Sequence, residues 1–298
     1  MAVIDNYNRI ISVYFYPRVT DAHGNVGKGQ VNLSSSIVCP ENGRKPNITI
    51  NGLFTTDECV PMFNLTIKNL YLDNIAARYP FIRVEAGYKG NIQPFEATIL
   101  YSFTESPGPE GETVIHCIQA NAPAWLSTTL KIDLKEGFAF SDALDAIAGA
   151  LGAKTSPSEG VKSLVSKDKF VFEGMAKDAI QELKKHFIPE INIKLMEDTL
   201  YASIDAEDIG GSPIDLPFLT TPPQLVGGKN NSVLATIQTL WNPKIKPGSK
   251  VSFYASYYST QSVMANVKEK LTMNVNTVQF QFSTTKGGNQ MTLTGQII

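Results

Sequence analysis

The chain has 298 residues, enough for two or three domains that each bury a core. Gly (22) and Pro (17) stand at ordinary levels, which excludes collagen-like and disordered classes. Lys+Arg total 26 against Asp+Glu 28, and a formal net charge of −2 disfavours sequence-specific DNA binding, which calls for a basic excess.

The first 120 or so residues read as β structure. "RIISVYFYP" alternates Ile10, Ser12 and Tyr14 against Ile11, Val13 and Phe15, and Pro17 ends it. "GKGQVNLSSSIV", "PNITINGLF" and "NLTIKNLYL" give further short runs bounded by Gly, Pro and Asn. In "PFIRVEAGYKGNIQPFEATILYSF", Ile82, Val84, Ala86 and Tyr88 share one face. A turn at "KGN" follows, with Gly90 supplying positive φ ahead of Asn91, and Phe95, Ala97, Ile99 and Tyr101 share one face on the return. "ESPGPEGE" reads as an exposed loop and "TVIHCIQANA" as one more strand.

Near Trp125 the pattern changes to a helical period. "FAFSDALDAIAGALG" predicts a helix with Ser141 as N-cap, Asp142 in the first turn, Gly152 as C-cap, and Leu144, Ile147, Ala148 and Leu151 on the buried face. "AKTSPSEG" reads as a loop. "GMAKDAIQELKKHF" predicts a second helix with Ala176, Ile180 and Leu183 inward and Lys184, Lys185 and His186 at the negative end of its dipole. "INIKLMEDTLYASI" reads as strand, turn, strand. From residue 206 β structure returns: a loop-rich stretch, a strand at "SVLATIQTLW", a turn at "NPKIKPG", and a strand at "KVSFYASYY" with Val251 and Phe253 on one face. Pro247 and Gly248 suit the two central positions of a type II turn. The last segment reads as a hairpin turning at "TTKGGNQ", with Gly287 and Gly288 at its tip. Its inward set slips phase, from Met273 and Val275 to Val278, Phe280 and Phe282, so a β-bulge is predicted near Thr277. The fold class is therefore mainly β with an α/β insertion: 1–125 β, 126–205 α/β, 206–298 β.

The three cysteines, Cys39, Cys59 and Cys117, form no CxxC, and the N-terminus carries no apolar signal core. They read as reduced thiols in a protein made and folded in cytoplasm. The Asn-x-Ser/Thr triplets at Asn32, Asn47, Asn64 and Asn230 then carry no glycan. No apolar run reaches the roughly 18 residues of a membrane-spanning helix. His116 and Cys117 are adjacent, yet in a strand they face opposite ways and do not share a metal ion. His23 falls in a turn-like loop. No G-x-S-x-G elbow, phosphate-binding glycine loop or EF-hand spacing occurs; "VGGKN" reads as a surface loop. The acidic stretch holding Glu197, Asp198, Asp205, Glu207 and Asp208 reads as a solvated face. Glu85, Glu96 and Asp205 are the carboxylates available to a glycan hydrolase, but Glu85 beside Arg83 reads as an ordinary same-face ion pair. No metal, cofactor or catalytic residue is assigned.

Several segments in order resemble a known family. "FIRVEAGYKGNIQPFEATILYSFTESPGPEGETVIHCIQ" is similar to the first tube-forming domain of phage tail baseplate hub proteins, and "KIDLKEGFAFSDALDAIAGALG" and "GMAKDAIQELKKHF" to that family's inserted domain. "TTPPQLVGGKNNSVLATIQTLWNPKIKPGSKVSF" resembles its pattern of a proline turn, a strand and "LxNPxIxPGxxV". The hubs of contractile-type tails, the N-terminal half of VgrG spikes and late control protein D share this pattern. The resemblance implies two small tube-type β-barrels in each chain and a homotrimer that imitates a six-fold ring. It implies a non-enzymatic virion structural protein of the tail baseplate that joins the six-fold tail tube to the three-fold central spike. The implied partners are further copies of the chain, the tail tube protein, the spike, other baseplate proteins and the tape measure protein. DNA only passes through the lumen, which near-neutral walls would permit. The chain ends at Ile298 without a spike, so spike and any muralytic activity are expected on other proteins. A distal tail or tube-adaptor protein is the alternative within tails, although the helical insertion argues against a plain tube subunit; the glycan hydrolase is the alternative outside them.

Overall fold

The structure is a computed structural model and describes residues 9–20, 26–30, 36–38, 46–55, 60–69, 75–88, 91–105, 111–119, 122–187, 191–196, 198–204, 212–216, 219–227, 233–257, 267–285 and 289–298. The N-terminal β part comprises β1 (Arg9–Tyr16), β2 (Arg18–Thr20), β3 (Val26–Lys28), β4 (Ser36–Ile37), β5 (Ile48–Thr55), β6 (Met62–Lys68), the single turn α1 (Ile75–Arg78), β7 (Phe81–Tyr88), β8 (Asn91–Glu105) and β9 (Glu112–Ile118). The middle part holds α2 (Ala122–Ser127), β10 (Thr129–Leu134), α3 (Phe140–Leu151), β11 (Lys154–Pro157), α4 (Glu159–Lys162), β12 (Phe170–Met175), α5 (Ala176–His186), β13 (Ile191–Met196) and β14 (Thr199–Ile204). The C-terminal β part holds β15 (Ile214–Asp215), β16 (Gln224–Gly227), β17 (Val233–Leu240), β18 (Lys250–Tyr257), β19 (Val267–Ser283) and β20 (Gln290–Ile297).

Both β parts enter one 13-stranded sheet, in the order β16-β17-β20-β19-β5-β6-β9-β8-β7-β1-β4, with β18 branching from β19 and β15 from β18. The join is β19. Its first half pairs with β18, its second half pairs with β5 from Thr277↔Thr55 to Ser283↔Thr49, and β20 runs along its other side. The path is open, and the described strands close no barrel. One core serves both parts. Alternation buries Ile11, Val13 and Phe15 of β1, Ile48 and Ile50 of β5, and Phe280 and Phe282 of β19 in the same cluster. Phe282 stacks on Trp241 at 4.4 Å and meets Tyr88 edge-on at 5.5 Å, so rings from both parts interlock. Gly52 has the register position between Phe63 and Phe280; a Cβ there would sit 2.8 Å from the Phe280 ring, which is why the strand carries a glycine.

The middle part builds a second cluster. α3 presents Phe140, Ala143, Leu144, Ile147, Ala148 and Leu151, and α5 presents Ala176, Ala179, Ile180 and Leu183. These faces pack with the β10–β12 pair and the three-stranded sheet β11-β14-β13. Ile118 of β9 and Val60, just ahead of β6, also belong to this cluster, and Leu100 and Trp125 pack against it.

Three expectations need correction. α3 begins at Phe140 with Ala139, not Ser141, at its N-cap; Asp142 then accepts a hydrogen bond from the Ala139 N–H at 3.2 Å, and the earlier start buries Phe140 completely. Gly152 does take the left-handed C-cap, at φ 67°. "AKTSPSEG" is not a loop throughout: Lys154–Pro157 form β11, parallel to β14. Tyr101 does not share the buried face of Ala97 and Ile99. The β8–β9 register slips between Ile99 and Tyr101, and Tyr101 emerges 53% exposed.

Candidate functional site

The turn at 246–249 forms as its proline and glycine predict. Ser249 N–H donates to Lys246 O at 2.9 Å and Gly248 has φ 90°, the left-handed value that favours glycine. The turn is bound to the sheet. Gly248 N–H donates to Val275 O at 2.7 Å, and Val275 N–H donates to Ser249 O at 2.9 Å. Val275 lies at the predicted bulge, where the β19–β20 register shifts between Val275 and Thr277. Gly295, opposite Val275, approaches so closely that a Cβ would lie 1.9 Å from Asn274 O. Turn, bulge and Gly295 thus form one backbone junction. One expectation changes: the turn does reverse the chain between β17 and β18, but β20 and β19 lie between those strands, so the connection crosses the end of the sheet. Ile245 and Pro247 are buried beneath it.

The other turn residues are partly in view. Tyr88 pairs with Asn91, which starts β8, so the two intervening positions connect β7 and β8. Gly90, Gly287 and Gly288 lie outside the described residues. Asn289 accepts from Ser283 N–H through its side chain at 2.9 Å and closes the β19–β20 end.

The groups with chemical potential are engaged or apart. Arg83 donates to Glu85 at 2.6 Å, and Tyr14 hydroxyl donates to the other Glu85 oxygen at 3.2 Å. Burial, then the adjacent Glu85 carboxylate, pushes the Tyr14 hydroxyl pKa up. Glu96 pairs with Lys28. Asp205, Glu197, Glu207, Asp208, His23, Cys39, Cys59 and residues 228–230 of "VGGKN" lie outside the described residues. Cys117 is buried and burial drives its thiol pKa well above the ordinary value, so it stays protonated. His116 turns to the opposite face, as strand alternation requires, and stacks on Tyr101 at 4.2 Å. His186 shares a 2.9 Å hydrogen bond with Ser166 Oγ at the end of α5. Among the described residues no three His, Cys, Asp or Glu side chains gather as a metal site, and no helix is long and apolar enough to cross a membrane.

The outer face of the large sheet carries what the sequence reading missed. Leu53 and Met62 are paired across β5 and β6 and stand 48% and 44% exposed. Tyr101 and Phe103 project from β8, with Phe103 43% exposed and 6.5 Å from Tyr101. His116 lies within 5.7 Å of Phe103. Sheet order places these residues on four successive strands, β5-β6-β9-β8. Exposed apolar side chains on an outer sheet face suit burial against a partner surface. Its signal in the sequence was a large apolar residue at outward positions of β5 and β6; on β8 the bulge concealed it.

No protein-family model and no curated protein matches the chain. Solved structures do. The tail protein from Neisseria meningitidis MC58 superposes with a TM-score of 0.59 at 11% identity, covering 97% of this chain and 97% of that one. The 43 kDa tail protein of prophage MuSo2 from Shewanella oneidensis gives 0.54 at 8% identity, covering 98% and 97%. A chain of the half-lidded Francisella PdpA–VgrG complex gives 0.57 at 8% identity, over 97% of this chain and 58% of that one. The protein thus has the fold of phage tail proteins. More narrowly, its structural neighbours are phage and prophage tail proteins and VgrG-containing complexes, the group in which the baseplate hub resemblance places it.

Proposed function

We propose that the chain is a structural baseplate hub: a non-enzymatic homotrimer whose ring joins a six-fold tail tube to a three-fold central spike in the tail of a virion. The observation that carries this reading is the end-to-end likeness to the Neisseria tail protein, which covers 97% of both chains. In this reading residues 1–125 and 206–298 act as two tube-type units, so that three chains present six. Residues 126–205, with their own hydrophobic cluster, face neighbouring baseplate proteins. The tape measure protein is a further partner, and DNA only passes through. The exposed Leu53, Met62, Tyr101 and Phe103 suit burial between subunits in a closed ring. The test is the mass of the purified protein in solution, together with its copy number in purified tails. Three copies per tail support the hub. Six copies support a distal tail or tube-adaptor ring. A strict monomer absent from tails overturns both.

A further inference from the structure

A cavity of about 340 Å³ opens where β5, β8, β19 and β20 meet the connection between β17 and β18. Phe54, Phe95, Trp241 and Phe280 supply its apolar lining. Phe54 meets Phe280 edge-on at 5.0 Å, and Trp241 lies 6.3 Å from Phe280. Gln119 also lines it. This residue is 6% exposed; its backbone N–H donates to Pro61 O, and its side-chain amide makes no hydrogen bond among the described residues. The amide thus offers a donor and an acceptor at the wall of an apolar cavity. Lys244 and Lys246 stand at the same cavity, and no carboxylate does among the described lining residues. Lys244 is exposed and forms no ion pair among the described residues. Alongside runs the backbone of residues 94–97 in β8. β7 pairs with one flank of this stretch, whereas β9 joins β8 only from Thr98 onward.

Each feature selects a different part of one occupant. The cavity is near the lower end of ligand-pocket volumes, which start at about 300 Å³, and so takes a single large side chain and not an extended cofactor. The Gln119 amide matches a peptide group, which also donates and accepts. No described strand pairs with the other flank of residues 94–97, where the Glu96 backbone can pair with an extended main chain while Pro94 offers only its carbonyl. The lysines complement carboxylates. We propose that this cavity docks an acidic, extended segment of a partner polypeptide. The segment buries one aromatic side chain against Trp241 and Phe280, sets a peptide group against Gln119, and places flanking carboxylates at Lys244 and Lys246. The proposal rests on the reading of the chain as an assembly protein and adds the chemistry by which one partner is recognised.

Trp241 reports on the cavity directly. The chain holds two tryptophans, Trp125 and Trp241, so a Trp125→Phe full-length protein leaves Trp241 as the sole emitter. The probes are the peptides acetyl-Asp-Phe-Asp-amide and acetyl-Lys-Phe-Lys-amide, which do not emit in the tryptophan range. The acidic probe is expected to shift Trp241 emission and to bind at least about tenfold more tightly than the basic one. Lys244→Glu, an exposed change that leaves the core intact, is expected to abolish that preference. Gln119→Leu is expected to weaken the acidic probe about tenfold. Equal binding of the two probes, no emission shift at millimolar acidic probe, or a preference unaltered by Lys244→Glu overturns the proposal. So does a Trp241 shift that follows protein concentration alone, which would assign the cavity to a second copy of the chain. A trimer that ignores the acidic probe overturns the docking site and leaves the hub reading standing; a monomer that binds it does the reverse.

Discussion

Gly248 shows how much one residue's backbone freedom governs here. Its φ of 90° disfavours any side chain, and its N–H is committed to Val275 O. A β-branched residue in that conformation strains the backbone by about 1–3 kcal/mol. Gly248→Val is therefore expected to lower unfolding free energy by about that amount in a denaturant titration; an unchanged midpoint would contradict the assigned turn. The proline and glycine at 247 and 248 made this turn legible, because each residue's allowed φ is intrinsic to it. His116 was legible in orientation but not in company. Burial beside Tyr101 and Phe103 holds its imidazole pKa below the ordinary 6.5. The unfolded chain therefore takes up a proton at higher pH than the folded one. Stability is whole above about pH 6.5 and is lost as pH falls through the folded value. Thermal scans from pH 7.5 to 4.5 should show His116→Phe with a shallower acid-side decline than the parent. The contact itself was hidden because the β8 slip that exposes Tyr101 leaves no mark in residue type.

At the scale of elements, two bulges decide which side chains see water. In β19 the slip was readable because every inward residue is strongly apolar, so Met273 and Val275 fall visibly out of phase with Val278. In β8 the phase change falls among Leu100, Tyr101, Ser102 and Phe103, where apolar residues occupy both faces and alternation loses its meaning. Removing Asn276 tests the first case. The deletion restores a single alternation along β19, with Met273 and Val275 still inward, and removes the bend that sets Val275 against Gly248 and Ser249. Losing those two backbone hydrogen bonds should cost about 1–3 kcal/mol. A lower midpoint of the thermal transition is the expected reading. Gly295→Ala strikes the same junction from the facing strand: the new methyl meets Asn274 O, and the transition should fall markedly. Helix faces were read from the 3.6-residue period and match the buried sets of α3 and α5. The start of α3 was not, because an unusually early aromatic, Phe140, outweighs the capping preference of Ser141.

At the scale of the molecule, the order β, α/β, β was legible from composition and period alone. The partnership between the two β stretches was not. Each reads as self-sufficient, and nothing in local patterning says that β5 should find β19. Tertiary packing supplies that pairing through Phe280, Phe282, Trp241 and Tyr88. Arg9 adds to it from the start of β1, donating to Ser283 O at 3.2 Å and Thr285 O at 2.7 Å. Residues 1–125 expressed alone should therefore present an unpaired β5 edge and bind a hydrophobic dye. A monodisperse fragment with no dye binding would show that the first stretch completes its sheet unaided.

The pairing of β5 with β19 also sets a clock. Thr49 hydrogen-bonds Ser283 across 234 positions of chain. A ribosome adding about 5–20 residues per second needs roughly 10–50 seconds to deliver the second strand after the first. Throughout that interval β5, with Ile48, Ile50 and Phe54, waits as an edge on the nascent chain. The sheet cannot be completed until its last strands leave the exit tunnel, so the C-terminal sequence governs when the N-terminal half becomes safe from other chains.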